Sequence, residues 1–347
     1  VRIALDGLGG DLAPKVTVQG ALLALRDAPE KGLDDLSVVL VGDQTRLLPF
    51  LPDPLPAKLY LVDADPPDEN SVTSAAAIGE QAQSAIRIAL RLHREGDVQG
   101  VVSAGSTAAQ VVASLIELEK CYGITRPAIG SFLPTLRGAS LLIDIGASLV
   151  ATPHHLVQFA AMGHVYVREM LGIAEPRIGL INVGSEAFVG DRNVIEAHKL
   201  LDDSGFNFVG FIEGRDIAAG KADVLVTNGF VGNVILKFAE GIPTLLNAMV
   251  ANLGDQATES VAKNFDYNAH GGEPLLGVKG VSIICHGASS ERAVAQGIYQ
   301  AAKISKLRLP DKLEDFLADK FATYFSQVKY LRSFRRSLRS AERLKGD

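Results

Sequence analysis

The sequence predicts an α/β fold, a mostly parallel sheet with helices on both faces. Short apolar runs alternate with longer stretches that repeat apolar residues every three or four positions, the patterns of strands buried on both faces and of amphipathic helices. Nearly every apolar run ends in a small or polar turn. At 347 residues, 47% hydrophobic and 21% charged, the chain holds enough material for two domains or one large α/β domain.

The elements follow in order. Arg2 to Leu5 is a strand that runs into Asp6-Gly7-Leu8-Gly9-Gly10-Asp11, a loop whose glycines permit positive φ and close backbone approach. Pro14 and Lys15 mark a helix start, and Val16 to Ala28 carries the helical repeat. Leu36 to Val41 and Lys58 to Val62 are strands, and the prolines from Pro49 to Pro56, with Pro66-Pro67, mark loops. Then come a helix over Ile78 to Arg94, a strand over Gly100 to Ser103 and a helix over Thr107 to Cys121. Ser140 to Ile145, Arg177 to Val183, Phe206 to Phe211, Val224 to Val226 and Val281 to Cys285 are the remaining strands. Leu156 to Leu171, Arg192 to Asp203, Asn233 to Leu253 and Ser290 to Ile304 are the remaining helices. In open α/β sheets ligands bind outside the carboxyl ends of strands, so the turns are expected to converge on one crevice.

Composition removes other classes. A net charge of -6 argues against a protein that coats nucleic acid. Cys121 and Cys285 are too few for a disulfide scaffold and lack CxxC spacing, which fits core filler in a reducing cytoplasm. His154, His155, His164 and Glu169 match no strong metal-ligand spacing, so no metal is expected. Asp6 and Asp11 interrupt any apolar signal segment, and no run approaches the roughly 18 to 20 apolar residues that cross a bilayer.

Seven colinear segments carry a resemblance: Asp6-Gly7-Leu8-Gly9-Gly10-Asp11-Leu12-Ala13-Pro14, Ser103-Ala104-Gly105-Ser106-Thr107, Asp144-Ile145-Gly146-Ala147-Ser148, His155 to Gly163, Gly179 to Glu186, Asn228 to Lys237, and Gly271-Gly272-Glu273-Pro274-Leu275-Leu276-Gly277. Together they resemble the PlsX family, the phosphate acyltransferases of bacterial phospholipid synthesis. The resemblance implies a three-layer Rossmann-like fold related to the isocitrate and isopropylmalate dehydrogenases and to the phosphotransacetylases. It also implies a cytoplasmic homodimer that converts acyl-[acyl carrier protein] and inorganic phosphate to acyl phosphate without a cofactor. Residues 1–305 would form the PlsX-like α/β domain, and 306–347 an amphipathic basic helical extension. The dehydrogenase activity does not carry over, because Gly7-Leu8-Gly9-Gly10 does not fit the dinucleotide fingerprint.

The chemistry of that reaction selects candidates. Phosphate must be held by N–H groups and cations while one of its oxygens attacks a thioester, and the carbonyl oxygen needs donors as it turns negative. Gly9, Gly10, Ser103, Gly105, Ser106 and Thr107 are candidates for anion contact, and Asp6, Asp11, Lys15, Asp144, Asn228, Gly271 and Gly272 are further candidates for binding substrate or phosphate. Asn182, Asn233 and Lys237 are the polar or charged partners, and His155 and His286 the acid or electrostatic groups. Each has a duller alternative. Ser106-Thr107 would also cap a helix, Asp144 would also tie down a loop, and Lys237 would also extend to solvent.

Several positions depart from the family pattern. Ser106 and Ala108 stand where SAGNTGA is usual, Val150 and His154 replace acidic residues, Asn228 replaces the Asp of DGFxGN, His270 replaces Tyr, and Ala288 replaces Ser. Between Asn70 and Ile86 a usual basic run is missing, which removes charge-assisted bonds of about 1.5 to 3 kcal/mol each. These losses motivate an alternative, a catalytically reduced homologue that binds acyl carrier protein or an acyl ligand as regulator or scaffold. The segment Ile242 to Ala269 looks shorter than the family's hairpin, which is associated with dimerisation and membrane contact. The tail from Pro310 repeats apolar residues at helical spacing and turns strongly basic after Lys329, a pattern that suits an anionic membrane or an acidic partner. The alternative is a helix packed on its own domain with a solvated basic end.

Overall fold

One eleven-stranded sheet organises the computed structural model, which describes residues 1–65, 81–186, 188–250 and 271–327. The strands are β1 (Arg2–Asp6), β2 (Ser37–Val41), β3 (Leu59–Val62), β4 (Gly100–Ser103), β5 (Ala128–Thr135), β6 (Gly138–Ile143), β7 (Ile178–Ile181), β8 (Phe208–Ile212), β9 (Val224–Val226), β10 (Glu273–Leu276) and β11 (Ser282–Ile284). Their order across the sheet is β3-β2-β1-β4-β11-β10-β5-β6-β9-β7-β8.

Strands β3, β2, β1, β4 and β11 are mutually parallel, and so are β6, β9, β7 and β8. Three antiparallel pairings, β11 with β10, β10 with β5 and β5 with β6, join the two groups. An odd number of reversals makes the two halves run in opposite directions. Their carboxyl ends therefore point opposite ways, and the expected gathering of every strand-end turn in one crevice is corrected: only some turns meet.

Sequence patterning found neither β5 nor β10. In β5, Gly130 and Pro134 interrupt the apolar pattern, and β10 is four residues long with Pro274 inside it. Both are held by neighbours distant in sequence, as in the pairing of Leu275 with Ile129.

The described helices are α1 (Lys15–Asp27), α2 (Gln44–Leu47), α3 (Ala85–Glu95), α4 (Thr107–Glu117), α5 (Pro153–Leu171), α6 (Arg192–Asp202), α7 (Gly214–Ala218), α8 (Gly229–Val250), α9 (Glu291–Lys306) and α10 (Leu309–Gln327). They cover both faces of the sheet. One core holds Val18 and Ala21 of α1, Phe159 and Tyr166 of α5 and Ile298 of α9. The other holds Ala89 and Leu90 of α3, Val111 and Ala113 of α4 and Leu236 of α8. Both are aliphatic-rich, as a chain without Trp requires.

Helix α10 continues the first core through buried Leu309, Leu313 and Leu317, and Phe316 stacks on His164 of α5 with ring centroids 4.9 Å apart. The first part of the expected amphipathic tail thus packs on its own domain. Its basic half beyond residue 327, the part of the stretch between Asn70 and Ile86 that spans 70–80, His270 and the 251–269 part of the segment Ile242 to Ala269 lie outside the described residues.

Candidate active site

Two buried aspartates shape the loops around the site. Asp6 ends β1, accepts from Ser103 Oγ at 2.7 Å, and accepts the Leu8 N–H at 3.1 Å. The Gly105 N–H in turn donates to Ser103 Oγ at 3.0 Å, so a chain of hydrogen bonds through Asp6, Ser103 and Gly105 locks the β1 and β4 tips together. Burial raises the Asp6 pKa, and these hydrogen bonds pull against it. Gly9 sits so tightly here that a Cβ would strike the Asp6 carboxylate. In the other half, Asp144 follows β6 and accepts the N–H groups of Ile129 at 3.0 Å, Gly146 at 3.1 Å, Ala147 at 3.0 Å and Ser148 at 2.7 Å. Burial raises its pKa as well, against those four donors. Gly232 lets α8 lie against this loop, because a Cβ there would collide with the Asp144 carbonyl.

Between these loops lies a cavity of about 650 Å³. It is lined by Gly105 to Ala108 after β4, Gly146 and Ala147 after β6, Gly271 to Glu273 at the start of β10, and Cys285 to Gly287 after β11. Helix α8 contributes Asn233, Leu236, Lys237 and Glu240. Val111, Val112, Ile129, Ile145, Leu236 and Ile284 make much of the wall apolar.

The polar wall is rich in donors. The N-terminus of α4 faces the cavity, where Ser106 caps the helix by accepting the Ala109 N–H at 3.4 Å and Thr107 opens the first turn. The cap and cavity positions of Ser106 therefore coexist. His286 accepts the Ala288 N–H on Nδ1 at 3.2 Å, which in the neutral ring leaves the proton on Nε2. Lys237 Nζ pairs with Glu240 at 2.8 Å. Glu273 is pushed up to about 7, first by burial and then by Glu240, with Lys237 offsetting part of the rise. The Cys285 thiol is pushed up to about 12 by burial, which makes it core filler and no nucleophile at neutral pH; Cys121 is held at about 12 for the same reason.

Of the residues singled out from sequence, Gly105, Ser106, Thr107, Asn233, Lys237, Gly271, Gly272 and His286 meet in this cavity. Asp6, Gly9 and Ser103 stand behind the wall as its framework. A Cβ on Gly10 would press on Ala104 and on the Gly287 carbonyl, and the Asp11 N–H donates to Gly287 O at 2.8 Å, so the first loop buttresses the cavity rim. Asp144 is the loop tie of its alternative reading. Asn228 takes the role of an Asp cap, accepting the Val231 N–H at 2.9 Å at the start of α8.

Three residues lie elsewhere. Asn182 donates to the carbonyls of Gly184 at 3.0 Å and Val189 at 2.7 Å, which ties down the loop after β7, and it does not line the cavity. His155 completes a capping box at the start of α5, accepting the Thr152 N–H on Nδ1 at 3.2 Å, and burial lowers its pKa. Lys15 is exposed at the start of α1 and does not line the cavity. Sequence reasoning passed over Glu240 and Glu273. The signal for Glu240 was its i+3 spacing from Lys237, and Glu273 stood inside a quoted glycine motif.

Fold and cavity define a class: an α/β enzyme with a donor-lined, partly apolar cleft between two oppositely directed sheet halves. Residues 1–312 match the family described as "Fatty acid synthesis protein". The chain is 41% identical over 314 residues to a phosphate acyltransferase of Heliobacterium modesticaldum, covering 86% of this chain and 92% of that one. It is 42% identical over 321 residues to a phosphate acyltransferase of Desulfitobacterium hafniense, covering 88% and 93%. The chain belongs to this family, whose similar members are phosphate acyltransferases. Among solved structures, a phosphotransacetylase of Streptococcus pyogenes has TM-score 0.60 at 16% identity, covering 90% of this chain and 94% of that one. A branched-chain phosphotransacylase of Enterococcus faecalis has TM-score 0.55 at 14% identity, covering 88% and 99%. These two likenesses show the fold.

Proposed function

We propose that the chain transfers an acyl group from a thioester on acyl carrier protein to inorganic phosphate, releasing acyl phosphate. One observation supports this most: a single cavity combines the amide end of α4, Lys237 and His286 with the apolar wall of Val111, Val112, Ile129, Ile145 and Leu236. The donors suit an oxyanion, and the apolar wall suits a hydrocarbon chain. A phosphate oxygen attacks the thioester carbonyl carbon, the new C–O bond forms, and the C–S bond breaks. The helix amides and Lys237 hold the anion, and the Nε2–H of His286 is a donor for the carbonyl oxygen as it gains charge. A thiol with an ordinary pKa of roughly 8.5 leaves readily, so orientation matters more than proton donation to the sulfur.

The test is incubation of the protein with acyl-[acyl carrier protein] of several chain lengths, with and without phosphate. Phosphate-dependent loss of thioester is expected, and its absence at every chain length would overturn the proposal. A second reading, a binding homologue of reduced activity, draws on the engagement of Lys237 by Glu240. It predicts acyl-thioester binding without turnover in the same assay.

We also propose a homodimer that works in the cytoplasm and at the inner face of the membrane. Contrary to the expectation from sequence, helix α8 is long and apolar enough by length and composition to cross a bilayer, yet Lys237 and Glu240 on it line the cavity. Phe230, Val234, Phe238, Leu245 and Met249 leave an apolar stripe along it, with Phe238 73% exposed. Such a stripe suits a second copy of the helix. For the domain division, we propose an α/β body over 1–305 and an extension over 306–347, whose helix α10 packs on that body.

A further inference from the structure

A carboxyl group lines the cavity read above as the phosphate site. Glu273 opens β10, paired in register with Ile284 of β11, and both residues line the cavity. Among the described residues none donates a hydrogen bond to its side chain. Facing it from α8 are Lys237 and Glu240, which already pair with each other at 2.8 Å. From β11 and the loop after it come Cys285, a neutral thiol, and His286. The cavity-lining residues of β5, α4 and α9 include Ser131, Thr107 and Ala293, none of which is ionisable. With both glutamates ionised, these three α8 and β10 side chains sum to one net negative charge. Protonation of Glu273 makes the sum zero and turns an acceptor-only group into a hydrogen-bond donor.

We propose that Glu273 is part of the phosphate site in its acid form, its O–H donating to the oxyanion, so that anion binding is coupled to uptake of one proton from solvent. The inference rests on reading this cavity as a phosphate site. Burial and the neighbouring Glu240 place the Glu273 pKa at about 7, so both forms are populated at neutral pH. A carboxylate displaced less from its ordinary range would stay ionised there and repel a dianion throughout.

Calorimetric titration with sulfate, a dianion that keeps its charge across neutral pH, and with inorganic phosphate tests this. Wild type, Glu273→Gln and His286→Gln are titrated between about pH 6 and pH 9 in two buffers of different ionisation heat. Sulfate affinity of the wild type is expected to fall about tenfold per pH unit above neutrality, with about one proton taken up per anion bound. Glu273→Gln, a permanent donor, is expected to flatten that slope and to bind sulfate at least about tenfold more tightly than wild type at the alkaline end. His286→Gln is expected to keep the slope. A slope unchanged in Glu273→Gln, a slope lost in His286→Gln, or no anion binding at any pH would overturn the proposal. Should Glu273→Gln fail to fold, buffer-dependent proton uptake by the wild type decides in its place. Proton-linked sulfate binding without thioester turnover would sink the acyl-transfer reading and leave this one standing; turnover with anion binding free of proton uptake would do the reverse.

Discussion

Asp144 accepts four backbone N–H groups at a single strand end, and Asp6 holds a smaller set at the tip of β1. A buried donor stripped of its acceptor costs about 1 to 3 kcal/mol, although water admitted by the change recovers part of it. Asp144→Ala is therefore expected to lower stability by about 3 kcal/mol or more, read from the urea midpoint, and Asp144→Asn, which keeps one carbonyl oxygen, by distinctly less. Equal losses in the two variants would contradict the role assigned to the carboxylate. The sequence shows an aspartate at a strand end followed by glycine, and a ligand contact and a loop tie both ask for that pattern. Only the positions of the Ile129, Gly146, Ala147 and Ser148 amides separate the two. Asn182 and His155 misled for a similar reason, since a loop tie and a helix cap use the same side chains as a binding site.

At the scale of elements, α3 is fastened to the sheet through His93. The Val281 N–H donates to Nε2 at 2.8 Å, which places the ring proton on Nδ1, where it faces the Val98 carbonyl at 3.0 Å. Burial holds the His93 pKa below its ordinary value. The unfolded chain thus binds this proton at higher pH than the folded one. The contribution of His93 is complete above the ordinary histidine range and is lost as pH falls from about 6.5 towards the depressed value. Urea midpoints measured between about pH 5 and pH 8 are expected to drop on the acid side in wild type, and His93→Gln should flatten that part of the curve. Parallel curves would remove His93 from the account. The longer elements were legible because their periods are clear: α5, α6 and α9 begin within a few residues of their expected starts. Strands β5 and β10 were not, since their short or interrupted patterns acquire meaning only from Leu275 meeting Ile129 and Glu273 meeting Ile284. Glu273 was lost with β10, as a motif of glycines gives no hint that the next residue faces a cleft.

For the whole molecule, the decisive arrangement is two parallel half-sheets of opposite direction, joined through β10 and β5, with the cavity at the join. The exposed stripe on α8 belongs to this scale. Phe238→Glu combined with Val234→Glu is expected to convert the proposed dimer to a monomer in sedimentation velocity at micromolar concentration, without loss of the folded state. An unchanged sedimentation coefficient would assign the stripe to another contact. In the proposed reaction this cavity brings an oxyanion against an acyl thioester. Mass spectrometry of the products formed from ¹⁸O-labelled phosphate and acyl-[acyl carrier protein] tests it most directly. Acyl phosphate that carries the label is expected, in an amount reduced at least about tenfold by Lys237→Ala; unlabelled free fatty acid alone, or product formation indifferent to Lys237, would rule the reaction out.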